Sequence, residues 1–153
     1  MDLCNFFDNN NRLIKIGRRI GSGGEGTVYE IKNDPYNVAK IYHQQPSRAK
    51  QKKIKLMVLN SNDELKSISA WPITPLHYHR NGAIWGFIMP KISGFEPIHK
   101  LYTPAQRKNF FPKSDWNHLV ICARNLAAGF SIMHKSGYII GDVNQGNVLV
   151  NKD

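Results

Sequence analysis

Between residues 13 and 31 the chain reads LIKIGRRI, then GSGGEG, then TVYEI. The outer stretches are rich in alternating apolar, β-branched and aromatic residues, which is strand patterning. Gly21, Gly23 and Gly26 therefore form G-x-G-x-x-G inside a hairpin. Glycine lets backbone amides approach an anion with no Cβ in the way, and several amides can share one negative charge. Taken alone, the spacing suits a flexible hairpin as well as a phosphate cradle. A dinucleotide-binding fold would open a helix after the loop, whereas Thr27-Val28-Tyr29-Glu30-Ile31 opens a strand. That fold is excluded.

The same patterning continues downstream. Asn33-Asp34-Pro35 reads as a turn, and Val38 to Tyr42 as a third strand. Ser47 is a suitable N-cap for a helix to about Leu59, with Ile54, Met57 and Val58 as its apolar side. Asn81-Gly82 is a strong hairpin signal, joining a strand near Leu76 to Tyr78 with another at Ala83 to Met89. The pattern then changes. Trp116, Leu119, Val120, Ala123, Leu126, Ala127, Phe130 and Met133 recur at helical spacing. Asp115 or Ser114 can cap that helix, and Lys135 with Gly137 ends it. The fold class expected is α+β: five strands and one helix, then a helical part, with the boundary near residues 90 to 95.

Lys and Arg number 21 against 11 Asp and Glu, a formal charge of +10 that favours anionic partners without choosing among nucleotides, nucleic acid and acidic protein surfaces. Cys4 and Cys122 form no disulfide framework or zinc spacing, and Cys122 reads as a buried reduced thiol. With no leader-like start and no apolar run of about 20 residues, the expected location is cytoplasmic, with no membrane partner. His43, His77, His79, His99, His118 and His134 make no metal constellation, and His77 with His79 reads as a surface pair. Trp71, Trp85 and Trp116 read as core or lobe-interface residues.

Two further stretches carry chemistry. In Asn37-Val38-Ala39-Lys40 the strand period puts Val38 and Lys40 on one face. Beneath a glycine hairpin, Val38 can pack on a base and Lys40 can reach phosphate, although a lone strand lysine is ordinarily just solvated. After the long helix comes GYIIGDVNQGNVLV, with Asp142 and Asn147 separated by four residues. A carboxylate there can accept the proton of an attacking hydroxyl, and an amide oxygen five positions on can hold Mg2+. Both residues are also ordinary turn formers. It is the order of the three stretches, across the change of architecture, that gives them weight.

On these residues the chain resembles the protein-kinase superfamily over nearly its whole length. GSGGEGTVYE, VAKIYH, GFIMPK and GYIIGDVNQGNVLV look most like a bacterial branch of kinase-like proteins. Some members of that branch carry helix-hairpin-helix domains or are associated with phosphatases and tellurium-resistance-type proteins. The resemblance implies a kinase-like lobe over residues 1–90, a five-stranded antiparallel sheet with one helix. It also implies a hinge and the incomplete start of a helical lobe over residues 91–153. It implies ATP and Mg2+ as ligands, with Gly21, Ser22, Gly23, Gly24, Glu25, Gly26, Val28 and Val38 around the nucleotide. Lys40 would hold the α- and β-phosphates, and Met89, Pro90 and Lys91, in a hinge running to Ile92, would read adenine. Asp142 would be the catalytic base and Asn147 a metal ligand.

The implied activity is transfer of the ATP γ-phosphate to a protein Ser/Thr hydroxyl. The implied partners are a protein substrate, and a phosphatase or additional C-terminal domains in a longer parent chain.

The family pattern is not matched everywhere. Residues 47 to 60 offer no acidic side chain to Lys40, only Arg48, Lys50, Lys52, Lys53 and Lys55, with Asp63 and Glu64 just beyond. Ile140-Gly141 replaces the usual His-Arg, and Asn144 stands where protein Ser/Thr kinases often have lysine. Gly141-Asp142 is similar to small-molecule phosphotransferases of the aminoglycoside and choline type, which stay open as an alternative. A non-catalytic pseudokinase or nucleic-acid-binding module also stays open, on the run Arg48 to Lys55. The chain ends at Asp153, before the Asp-Phe-Gly-type segment, so a truncated domain, inactive alone, is expected. Strand Val148 to Val150 is then expected to lack a partner, and the long helix to expose apolar surface.

Overall fold

The structure, a computed structural model, describes residues 5–151, so Cys4 and Asp153 lie outside the described residues. The chain divides into two compact units between Lys91 and Ile92.

In the first unit the strands are β1 (Asn5–Phe7), β2 (Leu13–Ser22), β3 (Gly26–Ile31), β4 (Asp34–Tyr42), β5 (Thr74–His77) and β6 (Ile84–Pro90). Helices α1 (Arg48–Leu59) and α2 (Asp63–Ile68) lie between β4 and β5 in sequence. The sheet is antiparallel in the order β1-β2-β3-β4-β6-β5 and closes into a barrel where Phe7 pairs with His77. Six strands and two helices thus replace the expected five-stranded sheet with one helix. The strand missed is β1, three residues long and too short to show a period. Burial holds it in place. Phe6 is wholly inaccessible and packs with Ile16, Ile31, Ala39, Ile41, Leu76 and Ile88. The Asp8 carboxylate accepts from the amides of Asn10 and Arg12 at 2.8 and 2.9 Å, turning the chain into β2.

The turn expected at Asn33-Asp34-Pro35 sits at Lys32-Asn33, where Asn33 takes the left-handed region (φ 67°). Asp34 already begins β4, and its carboxylate accepts from the amides of Tyr36 and Asn37. The missed helix α2 is capped by Asn62, whose side chain accepts from Leu65 N at 2.8 Å. Asp63 and Glu64 are its exposed first turn.

Polar side chains tie α1 to the barrel. Ser47 caps it, Gln51 accepts from Ile84 N at 3.0 Å, and buried Trp71 donates its indole N–H to the Met57 carbonyl at 2.8 Å. Ile54 of α1 packs with Tyr42 and Ile84. His77 is not the surface residue expected. It is buried, with Nδ1–H donating to the Gly82 carbonyl at 2.7 Å and Nε2 3.0 Å from the Asn9 amide oxygen. It thereby fastens the hairpin whose turn residue Asn81 has φ 55°.

The second unit contains β7 (Glu96–Pro97), α3 (His99–Tyr102), α4 (Pro104–Phe110), α5 (Trp116–Lys135) and β8 (Leu149–Val150). β8 is not unpartnered as expected, because Glu96 pairs with Val150 and Pro97 with Leu149. Asp115 caps α5 in a reciprocal arrangement with His118, and Gly137 (φ 79°) follows its end. Trp116 is 74% exposed, not a core residue, and with Val120 and Ile121 forms the apolar surface expected on this helix. The Cys122 thiol is free and half-buried. Among the described residues, no helix is long and apolar enough to cross a membrane.

Two glycines let β4 sit tightly between its neighbours. A Cβ at Gly26 would stand 2.5 Å from the Ile41 carbonyl oxygen, and one at Gly86 would collide with that of Lys40. A Cβ at Gly21 would meet nothing within 4 Å. Gly86→Ala is therefore expected to destabilise the chain by about 1–3 kcal/mol, as overpacking does. Gly21→Ala should stay within about 0.5 kcal/mol of the parent, typical of open sites. Urea denaturation measures both, and equal effects would contradict this packing.

Candidate functional site

The glycine hairpin is built by β2 and β3. Its tip, Gly23-Gly24-Glu25, is closed by a bond from Gly23 N to the Gly26 carbonyl at 2.9 Å. Across the sheet, Gly21 pairs with Val28, Val28 with Lys40, and Lys40 with Phe87, so four strands place these residues abreast. Directly paired residues of an antiparallel sheet share a face, which puts Val28, Lys40 and Phe87 together. Strand period 2 adds Val38 and Tyr42, while Ala39 and Ile41 turn into the barrel core. The sequence expectation that Val38 and Lys40 share a face agrees with this pleat.

None of the loop glycines has positive φ, so the backbone path itself does not require them. Gly26 is required by the approach of β4. Gly21, Gly23 and Gly24 have open space where a Cβ would stand. Their backbone is bare without any packing reason within this unit.

The neighbourhood of the tip is strongly polar. Thr27 Oγ1 lies 2.9 Å from Ser22 Oγ and 3.0 Å from His43 Nε2. The Glu25 carbonyl accepts from His43 N at 3.0 Å, and its carboxylate pairs with Lys50 Nζ at 2.7 Å. Lys50 Nζ stands 4.6 Å and Lys40 Nζ 5.9 Å from the centre of the Tyr42 ring. Gly24, Glu25, Tyr42, His43 and Lys50 are among the residues lining a cavity of about 380 Å3.

Electrostatics follow from this crowding. The Lys50 hydrogen bond and charge hold the Glu25 carboxyl below its ordinary range, with smaller help from Lys40 and Lys53. Burial, reinforced by the Glu25 charge, pushes the Tyr42 phenol up to about 12.

The Glu25–Lys50 pair was not anticipated from sequence. Lys50 belongs to the basic run Arg48 to Lys55, in which the sequence alone singles out no member. Helix α1 does lack any acidic residue for Lys40, as the sequence indicated. At the other end of this face, Met89 pairs with Val38 and Pro90 with Asn37. Lys91 donates its amide to the Tyr36 carbonyl at 2.8 Å, and its ammonium lies 3.5 Å from Glu30, which also binds Arg18.

In the second unit the loop after α5 is held by its own side chains. Asn147 Nδ2 donates to the Asp142 carbonyl at 2.9 Å and to its Oδ2 at 3.0 Å. Asn144 donates to Asp142 Oδ1 at 2.8 Å, while its own side-chain oxygen accepts from Gly146 N at 2.8 Å. Asp142 and Asn147 are thus brought together and stay exposed. Asn144 is the residue that sequence reasoning left without a part, and it braces the carboxylate. Tyr102 donates to Gln145 Oε1 at 2.7 Å, and Ile98 N to the Val148 carbonyl at 2.9 Å, which anchor the loop on both sides. Among the described residues, no group of three or more His, Cys, Asp and Glu side chains could hold a metal ion.

No protein-family model matches the chain. It is 43% identical over 147 residues, 96% of its length, to Protein kinase YegI of Escherichia coli strain K12. It is 44% identical over 140 residues, 92% of its length, to the protein of that name from Escherichia coli O157:H7. The chain spans 23% and 22% of the length of these curated relatives. The likenesses support a kinase-like assignment.

The raised Tyr42 phenol gives a signed expectation. The folded chain holds that proton more tightly than the unfolded one, so its contribution to stability is full below about pH 10. That contribution is lost as pH climbs toward about 12. An ultraviolet titration should show one of the six tyrosines ionising last, and Tyr42→Phe should remove that late step. Late ionisation that persists in Tyr42→Phe would contradict the assignment.

Proposed function

We propose that the chain is the ATP-binding part of a protein-kinase-like phosphotransferase that moves the ATP γ-phosphate to a protein Ser/Thr hydroxyl. The observation that carries this reading is the register Gly21–Val28–Lys40, which sets bare loop backbone and a strand lysine abreast on one sheet. The names of the relatives support the kinase class.

In this reading the amides of Ser22, Gly23, Gly24, Glu25 and Gly26 cradle phosphate oxygens, and Lys40 holds the α- and β-phosphates. Val28 and Val38 pack on the base, and Met89, Pro90 and Lys91 border it. Asp142 accepts the proton as the acceptor hydroxyl attacks, with Asn144 and Asn147 fixing its orientation. The donor chemistry suits a hard cation. Asn147 turns its Nδ2 to Asp142, which commits the amide nitrogen and leaves the oxygen as a ligand for Mg2+. Bound there, Mg2+ supplies charge neutralisation for the phosphates. Gly141-Asp142, without a lysine at Asn144, keeps a small-molecule acceptor as the second reading.

The test is calorimetry of ATP binding, with and without Mg2+, on this chain and on Lys40→Ala. Losing one charge-assisted phosphate contact should weaken binding about tenfold or more. Unchanged affinity in Lys40→Ala, or no binding by a folded sample, would overturn the nucleotide site. Label transfer to protein, and not to metabolites, by a parent chain containing this segment would decide between the two acceptor classes.

A further inference from the structure

Glu25 stands at the tip of the glycine hairpin, where its carboxylate would repel an incoming phosphate. The structure gives that carboxylate a definite partner, Lys50 Nζ at 2.7 Å. Lys50 and Lys40 also gather at one aromatic ring, 4.6 and 5.9 Å from the centre of Tyr42. An anion lying near both ammonium groups is favoured by each of them. The anion present is the chain's own Glu25, which feels Lys50, Lys40 and Lys53 together. Gly24, Glu25, Tyr42, His43 and Lys50 border a cavity of about 380 Å3. Lys50 lines that cavity, and Lys40 is not among its lining residues. The attachment of α1 does not rest on Lys50 alone, since the helix is also held by Ile54, Gln51 and the Ser47 cap.

We propose that Lys50 is a second phosphate-binding cation of the nucleotide site, with Glu25 as its partner only while phosphate is absent. The proposal rests on the ATP-binding reading above and deepens it. A phosphate oxygen takes the place of the carboxylate oxygen on Lys50, and the Glu25 side chain, already 65% exposed, turns into water. A triphosphate wins this exchange because it carries more charge than one carboxylate and reaches Lys40 at the same time. The exchange also unties the loop from α1, leaving the tip held by Gly23 N to the Gly26 carbonyl and His43 N to the Glu25 carbonyl. Lys50 therefore reads the phosphates and not the base.

Calorimetric titration of the 153-residue chain with ATP and with adenosine tests this, using Lys50→Ala, Glu25→Gln, Lys50→Arg and the control Lys40→Ala. Lys50→Ala should weaken ATP about tenfold and leave adenosine unchanged, while Lys50→Arg stays within about threefold of the parent. Glu25→Gln, an exposed substitution that spares the fold, should tighten ATP about threefold by removing the competitor. Parent-like ATP affinity in Lys50→Ala, or weaker ATP binding in Glu25→Gln, would overturn the proposal. If Lys40→Ala alone loses ATP, the nucleotide site stands and Lys50 has no part in it. If the folded parent chain binds no ATP, both readings fall together.

Discussion

The confinement of β4 between β3 and β6 governs everything the first unit offers. Lys40 is fixed in the sheet from both sides, by Val28 and by Phe87. That close fit exists only because Gly26 and Gly86 put no side chain against the β4 carbonyls. Alternation then does the rest. Ala39 and Ile41 go into the barrel and fix the pleat by burial, so Val38, Lys40 and Tyr42 have to occupy the opposite face. A one-residue slip would bury the lysine and expose the isoleucine, which is far too costly to compete.

Much of this was legible in the sequence, for physical reasons that can be named. The hairpin around Gly21 to Gly26, the strand carrying Lys40, the Ser47 cap and the long helix capped at Asp115 are local features. Each is specified by period, glycine or a capping side chain within a few residues. What escaped was set by distant contacts. β1 exists because Phe6 reaches the core, and the barrel closes through one pair, Phe7 with His77. His77 is buried with its Nδ1–H satisfied by the Gly82 carbonyl and its Nε2 beside the Asn9 side chain, and neither neighbour is visible from the alternation of β5. The β7–β8 pair joins residues about fifty positions apart, so no local pattern announces it.

The site was legible in part. Glycine spacing, Lys40, Asp142 and Asn147 could be picked out by residue type and order. Their surroundings could not. Asn144 reads as a missing lysine in sequence, yet in the structure it bridges Asp142 and Gly146 and shapes the loop. Lys50 reads as one cation among five, and only its ion pair with Glu25 and its place over Tyr42 distinguish it from Arg48, Lys52, Lys53 and Lys55. Charge runs hide individual roles because their members look alike until one of them acquires a partner.

Backbone amide NMR of the isotopically labelled chain, titrated with ATP, tests the central claim most directly. If the hairpin cradles phosphate, the amides of Gly23, Gly24 and Glu25 shift together with that of Lys40, and adenosine alone moves none of the loop. Shifts confined to the exposed cations of α1, and growing weaker with salt, would instead show polyanion attraction to a basic helix and contradict the nucleotide site.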